Sequence, residues 1–134
     1  MNDCIFCKIV KGEIPAIKIK ETENTLSFLD THPLNLGHAL VIPKKHYENI
    51  FDVTPEILAQ VIIETKKIAS AVKKAVNANG IGIAQNNGKA AGQVVNHLHF
   101  HIIPRYNDDG YVHWSPYKDT PSNSAVAEKI IQAL

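Results

Sequence analysis

Excess charge of either sign, cysteine and long apolar runs are all scarce in this chain of 134 residues. Lys and Arg number 14 against 13 Asp and Glu, a net charge of +1 with histidine neutral. No long-range basic field is therefore available to hold a nucleic-acid backbone, whose binding draws on many phosphate contacts. That excludes polymeric nucleic acid as an expected partner. No apolar run approaches the roughly 20 residues that span a bilayer, and the opening MNDCIFCKIVKG carries Asp3 and lacks the basic and apolar regions of a secretory signal. The expectation is a cytoplasmic protein with no membrane partner. Both cysteines fall in one C-x-x-C, Cys4 and Cys7. In a reducing compartment that spacing points to a metal or redox motif before a structural disulfide.

What is present is an ordinary globular balance, 45% hydrophobic and 20% charged, with no low-complexity stretch and no internal repeat. The length suits one domain, 1–134, with an N-terminal C-x-x-C segment over 1–13 and an extended tail and short helix over about 105–134. Alternation at Ile17 and Ile19, a polar turn, then Leu26, Phe28 and Leu29 predict a hairpin. THPLNLG reads as loop, and HALVIP as a buried strand stopped by Pro43. From Thr54, a cap followed by Pro55, the period becomes helical. Ile57, Leu58, Val61, Ile62, Thr65, Ile68, Ala69, Val72, Ala75 and Val76 share one face, and a left-handed stop is expected near Asn79-Gly80. IGIAQN and VVNHLHFHIIP predict two antiparallel strands around the loop NGKAAGQ. Tyr111, Trp114 and Tyr117 are expected to hold the tail. AVAEKIIQAL predicts a terminal helix capped by Ser122 or Ser124, with Val126, Ile130 and Leu134 on one side. The fold class is α+β, with a mainly antiparallel five-stranded sheet and one long and one short helix.

Three histidines alternate in HLHFHII. On a strand His97, His99 and His101 project together while Leu98, Phe100 and Ile102 face the core. Neighbouring imidazoles of such a set stand roughly 7 Å apart, close enough to act on one small ligand. A three-histidine metal site is the weaker use of the pattern, because a straight strand converges poorly on one ion. A neutral histidine attacking phosphorus, flanked by imidazoles that meet the shifting phosphate charge, explains more, and the middle residue is the natural nucleophile. NNGKAAG lacks the spacing and the Ser or Thr of a P-loop. Lys44 and Lys45 read as solvated, and His32 and His113 as surface residues.

GQVVNHLHFHIIPR resembles the histidine triad (HIT) signature, in which three histidines alternate with apolar residues after Gly-Gln. CIFCKIVKGEIPA, LSFLD, GHALVIPKKH and NNGKAAGQ agree with that family in order, so the resemblance covers nearly the whole chain. It implies a HIT-like fold, joined into a larger sheet across a homodimer. It also implies a nucleotide hydrolase or transferase acting at the α-phosphate of a small purine nucleotide through a nucleotidyl-histidine intermediate, with no catalytic cofactor. Dinucleoside polyphosphate hydrolysis and non-catalytic nucleotide binding are the alternatives. By position, His99 matches the nucleophile, His101 the histidine on the α-phosphate, and His38 a further phosphate-side histidine. Asn86 matches an active-site asparagine, Gln93 a phosphate contact, Phe28 a base-pocket wall and Asp30 the acceptor of ribose hydroxyls. Val94 stands where the eukaryotic phosphoramidase branch has a serine, and the ending HIIPR is closer to bacterial members. Some bacterial members use the two cysteines, the histidine of PKKH and the first triad histidine to hold zinc. The set implied here is Cys4, Cys7, His46 and His97, a closed tetrahedral structural site.

Overall fold

The computed structural model describes residues 3–112 and 120–134. His113, Trp114 and Tyr117 lie outside them. A short helix, α1 (Ile5–Val10), precedes a hairpin of β1 (Lys18–Glu21) and β2 (Thr25–Leu29), then β3 (Ala39–Pro43). The long helix α2 (Pro55–Ala75) leads to β4 (Gly80–Ala84), a 3-10 turn at Lys89–Ala91, β5 (Phe100–Arg105) and the terminal helix α3 (Ser124–Ala133). The sheet has five strands in the order β1-β2-β3-β5-β4, every pair antiparallel. The expected hairpin and the expected pairing of β4 with β5 are both present.

Sheet alternation creates two cores. On one face Ala39, Val41, Leu98, Phe100 and Ile102 pack against Val61, Ile68, Ala69 and Val72 of α2. On the other, Leu26, Phe28, Leu40 and Ile42 are covered by Phe6 and Ile9 of α1. Each fully buried side chain of this kind contributes about 2 kcal/mol of transfer free energy. The histidine face is thus also a packed face, sealed by a helix that the hydrophobic period of a six-residue segment is too short to reveal. Cys4 opens α1 as its cap, its sulfur accepting from the Cys7 N–H at 3.3 Å.

Several sequence expectations need correction. Ile17 and Ile19 do not enter the core: β1 is an edge strand exposed along its length, with an irregular register between Lys18 and Lys20. On α2, Ile62 and Ala75 fall outside the buried stripe. The helix is capped by Thr54 and Pro55 as expected, but it stops earlier, at Asn77, whose φ is 53°. The Ala78 and Asn77 N–H groups close on the carbonyls of Lys73 and Lys74, a left-handed termination that asparagine tolerates well. On α3 the cap is Asn123 rather than either serine, because its side chain accepts from the Ala125 and Val126 N–H groups. Val126, Ile130 and Leu134 are exposed.

The strand β5 is also shorter than its sequence pattern, VVNHLHFHIIP. The ladder between β3 and β5 runs from Ala39↔Ile102 to Val41↔Phe100 and ends there. The backbone of Pro43 faces β5, where its carbonyl accepts from His97, but proline has no N–H to give. Leu98 donates its N–H to Tyr47 instead, at 2.7 Å. Residues 93–99 therefore leave the sheet and carry His97 and His99 on irregular backbone.

Candidate active site and metal-ligand cluster

A cavity of about 730 Å³ opens on the histidine face of the sheet. Phe28 and Leu40 contribute from β2 and β3, His101 and Ile103 from β5, and Ala84 and Asn86 from the end of β4. Asp30, Thr31, His32, Leu34 and His38 line it from the loop between β2 and β3, and His99 lies at its floor. Phe6 of α1 closes one wall, its ring centroid 5.5 Å from that of Phe28 and 5.3 Å from that of His99. Phe6 is the residue that reading the sequence missed. Its only signal is an aromatic between two cysteines, which becomes informative once that segment is a helix.

The hydrogen-bond network gives the three triad histidines different roles. His97 is fully buried and donates Nε2–H to the Pro43 carbonyl at 2.8 Å. Its Nδ1 is left as a lone pair facing Cys4 and Cys7. His99 does the reverse: Nδ1–H donates to the His97 carbonyl at 2.6 Å, which leaves the Nε2 lone pair unprotonated. His101 is partly open to the cavity and meets His38, Nδ1 to Nε2, at 3.0 Å. Burial pushes the pKa of His99 and His38 down, against the opposing pull of Asp30. Burial, helped by neighbouring imidazoles, takes His97 and His101 to about 4. At neutral pH these rings are uncharged, the state in which a histidine can attack or ligate.

Other residues expected at the site divide. Phe28, Asp30, His38 and Asn86 line the cavity with His99 and His101. His32 does as well, at the mouth, although it reads as a plain surface residue in the sequence. Gln93 does not line it. Its amide is spent on the loop, donating to the carbonyls of Glu48 and Val95 at 2.7 and 3.0 Å and accepting from the Gly88 N–H at 2.8 Å. It braces the turn that presents Asn86. Val94 is almost fully exposed and lines both this cavity and a neighbouring one of about 830 Å³ whose other walls include Asp3, Glu48 and Asp52.

Behind His99 the four residues Cys4, Cys7, His46 and His97 offer ligand atoms all within 4.8 Å of one another. The Cys4 sulfur lies 3.3 Å from His97 Nδ1, and the Cys7 sulfur 3.4 Å from His46 Nδ1 and 3.6 Å from His97 Nδ1. Tetrahedral zinc with ordinary bond lengths places a sulfur and a nitrogen ligand about 3.5 Å apart. The donor set fits. His97 is oriented by its bond to Pro43, the kind of support a ligating imidazole requires. Burial and the neighbouring Cys4 push the Cys7 thiol up, so a cation is what would make this pair thiolate.

Residues 11–108 match the family model described as HIT domain. An adenosine 5'-monophosphoramidase of Schizosaccharomyces pombe is 44% identical over 130 residues, covering 95% of this chain and 95% of that protein. Among solved structures, a HIT family protein from Bacillus anthracis superposes with a TM-score of 0.89 at 38% identity, over 99% of this chain and 98% of that one. A Zn-bound histidine triad family protein from Mycobacterium smegmatis gives 0.79 at 38% identity, over 99% of each chain. No helix of the described residues is long and apolar enough to cross a membrane.

Proposed function

The chain belongs to the HIT domain family, and from that premise we propose that it is a nucleotide hydrolase or transferase acting at the α-phosphate through a nucleotidyl-histidine intermediate. The observation that carries this reading is the 2.6 Å bond from His99 Nδ1–H to the His97 carbonyl. It holds the ring neutral with its Nε2 lone pair available in a cavity of nucleotide size. The lone pair attacks phosphorus, a bond to nitrogen forms, and the leaving group departs with the electrons of its own bond to phosphorus. Water then attacks the same phosphorus and releases the nucleoside monophosphate, returning His99 to its starting state. His101, with His38 behind it, hydrogen-bonds the phosphate oxygens as charge moves onto them. Asp30 accepts from the ribose hydroxyls, Phe28 and Phe6 bound the base, and Asn86 contacts substrate from the end of β4.

The favoured substrate is a purine nucleoside phosphoramidate or a related adenylate, in line with the activity named for the fission yeast relative. A dinucleoside polyphosphate is second. The space beyond Val94 is lined by Asp3, Glu48 and Asp52, poor surroundings for a polyphosphate chain. The four-ligand cluster would hold zinc as a structural cross-link, a closed set with no position for substrate. The Zn-bound relative supports this assignment. The unpaired edge of β4, where Ile83 is half exposed, supports a homodimer that continues the sheet into a second copy.

The test is His99→Ala assayed against an adenosine phosphoramidate and against diadenosine polyphosphates. Hydrolysis of both should vanish, and wild-type protein quenched during turnover should carry a nucleotidyl group on His99. Full activity in His99→Ala would overturn the mechanism.

A further inference from the structure

Asp30, His38 and His101 form a second group of close donor atoms, with His38 Nε2 at 3.5 Å and His101 Nδ1 at 3.9 Å from the Asp30 carboxylate. A cation would need a lone pair from His38 Nε2. That lone pair is not available, because His38 Nδ1 already accepts the Leu34 N–H at 3.1 Å. A neutral imidazole that accepts at Nδ1 carries its proton on Nε2. His38 Nε2–H therefore points at His101 Nδ1, 3.0 Å away, and His101 in turn must keep its own proton on Nε2. The trio is a hydrogen-bond relay that begins at a backbone amide.

That amide belongs to a loop held by polar contacts. Leu34 and Leu36 are exposed, so among the described residues no apolar side chain buries either of them. The turn is closed by the His38 N–H on the Asn35 carbonyl at 3.1 Å, with Gly37 at φ +95°. A side chain at Gly37 would meet Val76 at 2.9 Å. The Asn35 amide donates to the Pro104 carbonyl at 2.9 Å and to Asp109 Oδ2 at 3.1 Å, and the Tyr111 hydroxyl donates to the Leu34 carbonyl at 3.0 Å. Asp109 is the hub. Its carboxylate also accepts from Arg105 Nε and Nη2 at 2.8 and 3.0 Å and from the Tyr106 and Tyr111 N–H groups, both at 3.0 Å.

We propose that Asn35, Asp109 and Tyr111 are positioning residues for the phosphate-side histidine. By clamping the Leu34 amide against His38 Nδ1, they fix His38 and then His101 as Nε2–H tautomers. His101 then presents a donor to the phosphate. If the loop were released, His38 could shift to its Nδ1–H tautomer and offer His101 a lone pair, and His101 would then meet the anionic substrate with an acceptor. None of the three residues needs to touch substrate. The proposal rests on the phosphate-side role given to His101 above, but the tautomers themselves do not depend on it.

The test is nitrogen-15 NMR of imidazole-labelled protein without substrate, on wild type, Asn35→Ala and Tyr111→Phe, joined to steady-state kinetics on an adenosine phosphoramidate. Asn35→Ala cuts the loop from Asp109 and leaves the Arg105 pair in place. Tyr111→Phe removes a single hydroxyl. Wild type should show His38 and His101 as Nε2–H rings. Both variants should show mixed tautomers at those two residues and a kcat lowered about tenfold, the equivalent of one net hydrogen bond, with KM little changed. A wild-type His38 protonated on Nδ1 overturns the relay, and that measurement stands even if a variant does not fold. Folded variants with unchanged tautomers overturn it as well. Wild-type tautomers as proposed together with an active His101→Ala would instead count against the phosphate role and leave the relay intact.

Discussion

The ring of Phe6 stands edge-on to the ring of His99, centroids 5.3 Å apart and planes at 86°. Phe6 lies between the two cysteines on α1, so the helix that carries half of the metal-ligand cluster also forms the wall behind His99. Core packing, the cysteine ligand atoms and the cavity wall meet in one turn of helix.

Replacing this ring should affect both stability and rate. Phe6 is buried against Phe28, His97 and His99. Phe6→Ala should cost about 3 kcal/mol in denaturant unfolding and lower kcat/KM as the wall of the cavity is lost. Phe6→Leu should recover most of the stability and less of the rate. Equal recovery of both would show that only volume matters at this position.

Protein purified without a polyhistidine tag should contain about one zinc per chain. Chelation or Cys4→Ser should remove it and lower the melting temperature, and added zinc should restore the chelated wild type but not the variant. Metal-free protein that melts at the same temperature with and without zinc would sink the assignment. Because the set is closed, hydrolysis below the new melting temperature should survive chelation in large part.

The clamp at Asp109 should yield only in acid strong enough to protonate a carboxylate held by Arg105. Arg105, with the Tyr106 and Tyr111 amides, holds the Asp109 carboxyl well below the usual carboxylate range. A depressed folded-state pKa means that this stabilisation is complete above the unfolded value, about 3.9, and is lost as pH falls through the folded value. Asp109→Asn should therefore melt lower than wild type at pH 7. The gap should stay constant down to about pH 4 and narrow below it. A gap that does not change with pH would mean that the charge on Asp109 contributes nothing.

The spacing of the triad was legible in the sequence, but the straight strand it implied holds only from Phe100 on, and His97 and His99 ride on irregular backbone. The long stripe of α2 was legible too, because Thr54-Pro55 and eight of the ten periodic residues agree, Ile62 and Ala75 being exposed. What escaped depends on partners distant in the chain. Ile17 and Ile19 alternate like a half-buried strand, yet lie at a sheet edge that none of the described residues covers. Gln93 sits beside the signature and looks available, but the carbonyls of Glu48 and Val95 consume its amide. The clamp at Asp109 joins residues 74 apart and leaves no periodic trace.

Pro43 sets the terms for the site. A residue with an N–H there could add a rung and draw Leu98 into line, making the sheet firmer and the three imidazoles a uniform row. Because the ladder stops, identical side chains two residues apart acquire separate surroundings: one turned toward sulfur, one toward an open cavity, one toward a second imidazole. At position 43 the demands of the scaffold and of the chemistry point in opposite directions, and the specialisation of the triad begins with a hydrogen bond that the backbone cannot make.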